Sequence, residues 1–132
     1  MTLVYLVIMI ALLQFWLFGL AVGRARVKFG VAAPATAGNV DFERVYRVQM
    51  NTLEQLAILI PSILVYAHYI NARWAAILGL IYVIGRFVYF FAYSKDAKKR
   101  GWGFLISSLP VMILMVGSII ALVRALIVSG SL

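Results

Sequence analysis

The sequence predicts an all-α membrane protein, a bundle of four transmembrane helices. Hydrophobic residues make up 65% of the 132-residue chain and the mean hydropathy is +1.04, outside the range of ordinary soluble domains. Residues 3–23 and 101–123 contain no charged side chain, and a helix of about 20 such residues crosses a hydrocarbon core. Two further segments, residues 48–69 and 75–93, are long enough to span despite a few polar groups. As buried helices of a soluble protein they would need more polar surface than this chain has, which favours four spans.

The first helix is predicted over residues 2–28, with three basic residues at its aqueous end. No basic residue precedes its apolar part, and that part is longer than the roughly 7–15 residues of a secretory signal peptide. We therefore expect a retained helix. The next segment contains glycine, proline and asparagine, which are typical of a loop.

The second helix is predicted over residues 41–69, with Asp41 as its N-cap because a short acidic side chain can accept from the first backbone N–H groups. Pro61 lies inside it, where a kink is expected rather than an end, since neighbouring helices can satisfy the freed carbonyl. The third helix is predicted over residues 72–95, capped by Asn71.

A basic turn separates the third helix from the fourth, which is predicted over residues 102–128 and contains Pro110. The sequence has no internal repeat, low-complexity tract or soluble segment of domain size. We expect residues 1–132 to form one integral membrane domain.

Basic residues predict how the bundle is oriented. Nine of them lie in the first and third loops or the adjoining helix ends, whereas Arg73 and Arg124 lie at the opposite side. Basic loops face the cytoplasm, so both termini are expected on the opposite side of the membrane. The net charge of +8 needs no nucleic acid to explain it; topology and contact with membrane lipid headgroups account for it. The nine are Arg24, Arg26, Lys28, Arg44, Arg47, Lys95, Lys98, Lys99 and Arg100.

Polar residues entering the second helix are the main functional signal. Arg47, Asn51 and Glu54 are spaced i, i+4 and i+7, so they share one face. If the second and third helices form an antiparallel hairpin, counting residues inwards from their basic ends places Glu54 near Arg86 of the third helix. Such a pair can lock the helices together, or it can belong to a site. Ionisable groups in a membrane are costly and usually functional, and arginine forks bind carboxylates while a carboxylate binds an ammonium group. The pattern therefore favours a small zwitterionic ligand.

Two stretches resemble the signature of the MAPEG family, the membrane-associated proteins in eicosanoid and glutathione metabolism. The first is Phe42-Glu43-Arg44-Val45-Tyr46-Arg47 followed by Asn51 and Glu54. The second is Gly85-Arg86-Phe87-Val88-Tyr89-Phe90-Phe91-Ala92-Tyr93, followed by the basic turn to Arg100. Together the two matches extend over roughly residues 40–110, and four spans also agree with the family.

The resemblance implies a homotrimer that binds glutathione between neighbouring subunits near the cytoplasmic face. It implies that Arg100 is catalytic, stabilising the glutathione thiolate, and that Arg86 supports Glu54. No metal ligand is assigned. The residues that match glutathione contacts, Arg86 included, are Arg26, Arg47, Gln49, Asn51, Glu54, Arg86, Tyr89 and Tyr93.

The activity that the resemblance implies is a glutathione transferase that can also act as a peroxidase. A free thiol has a pKa near 8.5, and a nearby arginine lowers it, so Arg100 would act electrostatically and not as a base. The chain has no cysteine, which fits a nucleophile that arrives with the cosubstrate. The thiolate would attack a lipophilic electrophile or reduce a lipid hydroperoxide.

Departures from the family narrow the activity and leave two alternatives. Val27, Gln55, Gly101 and Phe104 replace an arginine, a tyrosine, a serine and a tyrosine of the eicosanoid-synthase branches, which favours general detoxification over either eicosanoid reaction. One alternative is a non-catalytic lipid-binding scaffold of the same family. The other is a small multidrug transporter, which is disfavoured because the first helix has no acidic residue.

Overall fold

Four long helices dominate the structure, a computed structural model that describes residues 1–96, 98 and 101–132. All four are long and apolar enough to cross a membrane, and no strand occurs in the described residues. The predicted all-α class with four spans is therefore confirmed. The helices are α1 (Thr2–Phe29), α2 (Val40–Tyr69), α3 (Ala72–Lys95) and α4 (Gly101–Val128).

The helix ends lie within one residue of the predicted positions, but the prediction of Asp41 as the cap of α2 was wrong. Asn39 is the N-cap: its backbone is extended and its side-chain oxygen accepts from Phe42 N at 3.0 Å. Asp41 lies one step inside the helix, where its carboxylate is 3.6 Å from Arg44. The cap predicted for α3 is confirmed, because Asn71 accepts from Trp74 N at 2.9 Å.

Helix α1 ends at Gly30, whose φ of 68° lies in the left-handed region that glycine adopts without steric cost. The backbone N–H of Gly30 donates to Arg26 O and so satisfies one of the last helical carbonyls. The turn sends the chain out of the bundle into the loop before α2. Both Pro61 and Pro110 lie inside helices that continue past them.

Helices α2 and α3 form the centre of the bundle, and α1 and α4 each pack against both of them. Apolar side chains from all four helices meet in one core, as expected when each helix presents an apolar stripe to its neighbours. Its most deeply buried members include Val4, Leu59, Ile63, Ala75 and Leu114.

Helix α4 lies close to α3 because glycine occurs at their contacts. A methyl group on Gly103 would lie 2.3 Å from Tyr89 N, and one on Gly85 would lie 2.5 Å from Ser107 N. Small residues let the backbones of membrane helices approach in this way. This close approach holds the N-terminal end of α4, which is predicted to lie at the cytoplasmic face, against the part of α3 that carries Tyr89.

Large apolar side chains cover the outside of the bundle as well as its core. More than half of the side chain is exposed in each of several large apolar residues on α1, α3 and α4, namely Leu6, Trp16, Ile84 and Ile119. Such an outer surface is stable in hydrocarbon and unfavourable in water. The bundle fits an integral, multi-pass membrane protein.

Candidate functional site

The polar face predicted on α2 is present and faces outwards from this chain. Arg47 Nη1 lies 3.4 Å from Glu54 Oε1, and Asn51 Nδ2 donates to Glu54 Oε2 at 3.4 Å. The Arg47 and Glu54 side chains are 52% and 58% exposed. Contacts this long and this exposed are weak, so both charged groups are able to exchange partners for a ligand.

Arg86 lies behind that face and is completely buried between α2 and α3. Its Nη1 donates to Asn51 Oδ1 at 2.7 Å and to Thr52 Oγ1 at 3.2 Å. Its guanidinium also lies 4.3 Å from the centre of the Tyr89 ring, a cation–π contact. Asn51 therefore links the buried cation to the exposed carboxylate of Glu54. We call Arg47, Asn51, Thr52, Glu54 and Arg86 the polar layer.

The expected Glu54–Arg86 pair is not formed, and the geometry of α2 explains the error. Residues of an α-helix advance about 100° each, so Glu54 lies about 200° around the helix from Thr52. Asn51 and Thr52 are the α2 residues that face Arg86. Glu54 lies about 60° from Asn51, on the side opposite to Thr52, and pairs with Arg47 instead. Arg86 thus reaches Glu54 only through Asn51.

No carboxylate neutralises Arg86 in the part of the chain that the structure describes. All four acidic residues lie in that part, and its ion pairs join Asp41 to Arg44 and Glu54 to Arg47. Among the described residues, Nε and Nη2 of Arg86 have no hydrogen-bond partner. Neutral acceptors and an aromatic face therefore stabilise the positive charge of Arg86, which is costly to bury.

Tyr89 and Tyr93 extend the site along α3. Their rings stack 5.4 Å apart and within 5° of parallel; Tyr89 is buried whereas Tyr93 is partly open. Tyr93 lines a groove of about 470 Å³ together with Arg44, Arg47 and residues of the loop and first turns of α2. The groove brings two guanidinium groups and a phenol to one opening beside the polar layer.

Two predicted contacts, Arg26 and Gln49, do not line that opening. Gln49 is about 200° around α2 from Arg47, and its amide lies against α1, 2.8 Å from where a methyl on Gly19 would be. Arg26 Nη1 donates to Ala35 O at 2.7 Å. Within the described residues, no hydrogen bond or ion pair connects Arg26 or Gln49 with Arg47 or Glu54. This chain alone does not connect the two groups.

Arg100, predicted to be catalytic, lies outside the described residues. Thr52 is a residue of this region that the sequence did not single out, whereas Arg44 belongs to the predicted basic cytoplasmic end. Thr52 accepts from Arg86 while donating to Val48 O at 2.7 Å, and Arg44 Nη1 donates to Lys95 O at 3.1 Å, tying α2 to the end of α3. A hydroxyl beside Asn51 was the available signal for Thr52, since a buried arginine needs several acceptors.

The arrangement provides the parts of a receptor for a zwitterion. The forks of Arg44 and Arg47 suit carboxylates, which they can bind through two hydrogen bonds. Glu54 accepts from Arg47 and Asn51 and retains lone pairs for an ammonium group. A ligand of this kind would replace the exposed Arg47–Glu54 contact by two charge-assisted contacts.

Comparisons with known proteins agree on one family. The model described as the MAPEG family matches residues 3–120. An uncharacterised protein of Synechocystis is 52% identical over 101 residues, 76% of this chain and 74% of its own length. Human microsomal glutathione S-transferase 2 is 46% identical over 90 residues, 68% of this chain. Leukotriene C4 synthase of Cavia porcellus is 39% identical over 83 residues, 63% of this chain. The matched region spans 61% of the human protein and 55% of the Cavia protein.

Proposed function

The chain belongs to the MAPEG family, and from this premise we propose that it is a membrane-embedded glutathione transferase. Relatives named as a glutathione S-transferase and as leukotriene C4 synthase support the choice of reaction class. The observation that carries the proposal is the polar layer, in which Arg47 and Glu54 present opposite charges on the open face of α2. Glutathione has two carboxylates, one ammonium group and a thiol, and it matches that arrangement.

In the proposed complex, Arg47 binds a glutathione carboxylate and Glu54 binds the ammonium group. Asn51 holds the Glu54 carboxylate in place while Arg86 holds Asn51. Tyr93, at the edge of the same groove, contacts the peptide, and Tyr89 supports it through ring stacking. These roles are assigned from the contacts among the described residues together with the family resemblance.

We propose that a second subunit completes the site and that the assembly is a homotrimer. Arg26 and Gln49 match glutathione contacts, yet on the same chain Gln49 is turned towards Gly19 and Arg26 towards the loop before α2. A neighbouring copy related by rotation would present its own Arg26 and Gln49 to this chain's groove. The basic first and third loops support a cytoplasmic position for the site, and both termini would then lie on the opposite side.

The proposed chemistry needs a thiolate, which Arg100 would stabilise by its positive charge. The thiol proton passes to solvent, and the sulfur then forms a bond to carbon of a lipophilic electrophile; an aryl halide, for example, loses halide. With a lipid hydroperoxide, two glutathione molecules yield the disulfide, the lipid alcohol and water. The acceptor substrate would enter from the hydrocarbon phase of the membrane. Exposed apolar side chains on all four helices would lie against that phase.

A conjugation assay tests the proposal. The full chain, reconstituted in liposomes, is expected to convert glutathione and 1-chloro-2,4-dinitrobenzene into the coloured conjugate. Arg47→Gln or Glu54→Gln should raise the KM for glutathione about 10-fold or more, because a hydrogen bond to a charged group contributes about 1.5–3 kcal/mol. Arg73→Gln, near the start of α3, serves as the matched control and should leave the KM unchanged.

Two results would contradict the proposal in different ways. Absence of turnover, together with failure of glutathione to raise the thermal unfolding temperature, would remove glutathione from the function. Thermal stabilisation by glutathione without turnover of any electrophile or hydroperoxide would instead support the non-catalytic scaffold. Proton-coupled uptake of a cation by the same liposomes would support the transporter.

A further inference from the structure

A second groove runs between α1 and α3, away from the polar layer. Two adjoining cavities of about 380 and 510 Å³ share Ala21, Arg24 and Phe90 as lining residues. We call the combined feature the α1–α3 groove. Arg24 precedes Arg26 by two residues, so it points to nearly the opposite side of α1. The groove is therefore separate from the surface that carries the proposed glutathione contacts of α1.

The inner part of the α1–α3 groove is apolar and aromatic. Phe18 stacks on Phe90 with 4.7 Å between ring centres and meets Phe87 edge to face at 6.0 Å. These rings form a floor that the bundle leaves partly uncovered, because Phe87 is 39% exposed and Phe91 is 60% exposed. A hydrocarbon chain placed here would bury aromatic surface that neighbouring helices of this chain do not cover.

The outer end of the groove is basic. Arg24 and Lys28 line it and take part in none of the ion pairs found among the described residues. Asp41 also lines this end, but its carboxylate is 3.6 Å from Arg44. The buried hydroxyl of Ser94, again at this end, has no hydrogen-bond partner within the described part of the chain. Two cations and a hydroxyl are thus available to one anionic group.

The basic and apolar parts are ordered along the helix axis as in an anionic lipid. Leu17 at the inner end and Arg24 are seven residues apart, roughly 10 Å along an α-helix. Lys28, one turn further, lies near the end of α1. A headgroup at the membrane surface and an acyl chain below it follow the same order. The lining is therefore complementary in charge and in polarity to one molecule of this kind.

We propose that the α1–α3 groove binds an anionic phospholipid, with its phosphate at Arg24, Lys28 and Ser94 and one acyl chain along the phenylalanine floor. Phosphate oxygens accept from several donors at once, which suits a site with two cations and a hydroxyl. Anionic phospholipids are abundant in the cytoplasmic leaflet and attract basic segments there. The proposal stands apart from the proposed glutathione site.

Native mass spectrometry of the detergent-solubilised full chain tests the proposal with three probes: dioleoyl phosphatidylglycerol, dioleoyl phosphatidylcholine and oleate. Phosphatidylglycerol is expected to bind about 10-fold more tightly than phosphatidylcholine. The double variant Arg24→Gln/Lys28→Gln should abolish that preference. Arg73→Gln/Lys98→Gln removes the same charge at positions that do not line the groove, and it should preserve the preference.

The acyl part of the site has its own pair of variants. Phe91→Ala should weaken binding of dioleoyl phosphatidylglycerol by about 3-fold or more, since it removes exposed aromatic surface from the groove. Ile119→Ala removes a comparably exposed apolar side chain from α4 and should change the binding by less than about 2-fold.

Several outcomes would overturn the proposal. Equal binding of the two phospholipids, or equal loss of preference in both double variants, would mean only general charge attraction. Oleate binding as tightly as phosphatidylglycerol, with the same dependence on Arg24 and Lys28, would assign the groove to a fatty acid. If the double variant does not fold, the salt dependence of the wild-type protein's lipid preference tests the proposal instead. A preference that is unchanged between about 0.1 M and about 0.5 M salt contradicts a role for these exposed cations, because salt screens them.

Discussion

Arg86 carries a positive charge into the interior of the bundle, and the residues around it disperse that charge without neutralising it. Asn51 and Thr52 accept from its Nη1, and the Tyr89 ring lies beneath the guanidinium. A carboxylate in their place would hold the arginine more strongly but would use up the acidic group. Because Arg86 relies on neutral acceptors, Glu54 stays on the open face with only weak contacts.

Thr52→Val tests the contribution of the neutral acceptors. Valine has nearly the same shape but no hydroxyl, so the buried guanidinium loses one of its two acceptors. We expect the free energy of unfolding to fall by about 1.5–3 kcal/mol, the usual contribution of a hydrogen bond to a charged group. Unfolding by increasing concentrations of a denaturing detergent measures this free energy.

Ser107→Ala is the matched control for that prediction. Its hydroxyl is also buried, but it donates to carbonyls of its own helix at 2.9 and 3.1 Å. Its loss should lower the free energy of unfolding by less than about 1 kcal/mol. Equal destabilisation by the two substitutions would show that the Arg86 contact has no special weight.

Arg100→Gln tests the proposed stabilisation of the thiolate. The reactive form of glutathione is the thiolate, so the rate of conjugation rises with pH through the pKa of the bound thiol. A cation nearby lowers that pKa; removing it should move the midpoint of the pH–rate profile upwards, towards the ordinary thiol value of about 8.5. Lys98→Gln removes an exposed charge two residues away and should leave the midpoint in place. An unshifted midpoint in Arg100→Gln would remove this residue from the mechanism.

At the scale of the elements, the approach of α3 and α4 determines where the tyrosines stand. Gly103 lies against the backbone of Tyr89, and Gly85 lies against Ser107. Because no side chain separates the two helices there, α4 supports Tyr89, whose ring stacks on Tyr93 and lies under the Arg86 guanidinium. Glycine in the sequence marks these positions, but only the packing distinguishes them from glycines such as Gly23, which has open space around it.

Gly103→Ala and Gly23→Ala should therefore change stability in opposite directions. The methyl group at position 103 would lie 2.3 Å from a backbone atom of α3, so α4 must move, at a cost of about 1–3 kcal/mol. At position 23 nothing lies within 4 Å, and alanine in a helix should raise the free energy of unfolding by about 0.5–1 kcal/mol. Thermal unfolding of the two variants measures the difference; a stabilised Gly103→Ala would contradict the close packing.

At the scale of the whole molecule, the candidate site consists of two parts that one chain keeps apart. Arg47 and Glu54 face outwards on α2, whereas Gln49 is turned towards Gly19 of α1 and Arg26 towards the loop before α2. Assembly of identical chains by a three-fold rotation joins unlike faces of neighbours. The proposed trimer would therefore contain sites that each draw on two subunits.

Mixed assemblies test that arrangement. Arg26→Ala and Arg47→Ala chains, each expected to have little activity at a glutathione concentration well below its KM, are co-expressed with different affinity tags and purified through both. If each site takes Arg26 and Arg47 from different subunits, every trimer purified through both tags contains one intact site, so about a third of the sites are restored. If both residues act within one subunit, no intact site forms and activity stays at the level of the separate variants. Crosslinking of the tagged pairs shows that mixed assemblies are present.

The four helices and the approximate extent of each could be predicted from the sequence. Long apolar runs have few alternatives in a membrane, since every backbone group must be paired within the segment, and residues 3–23 already meet that condition. The spacing of Arg47, Asn51 and Glu54 also determined that they share a face, because helical periodicity depends on local geometry alone.

Which groups meet across helices depends on how the helices pack, and the sequence pattern does not specify it. The rotation of α2 against α3 selects Asn51 and Thr52, and not Glu54, as partners of Arg86. The same packing turns Gln49 towards α1 and leaves the α1–α3 groove open. These contacts depend on the rotation and depth of one helix relative to another. Periodicity within a single helix leaves both undefined, so they emerge only when the four helices pack together.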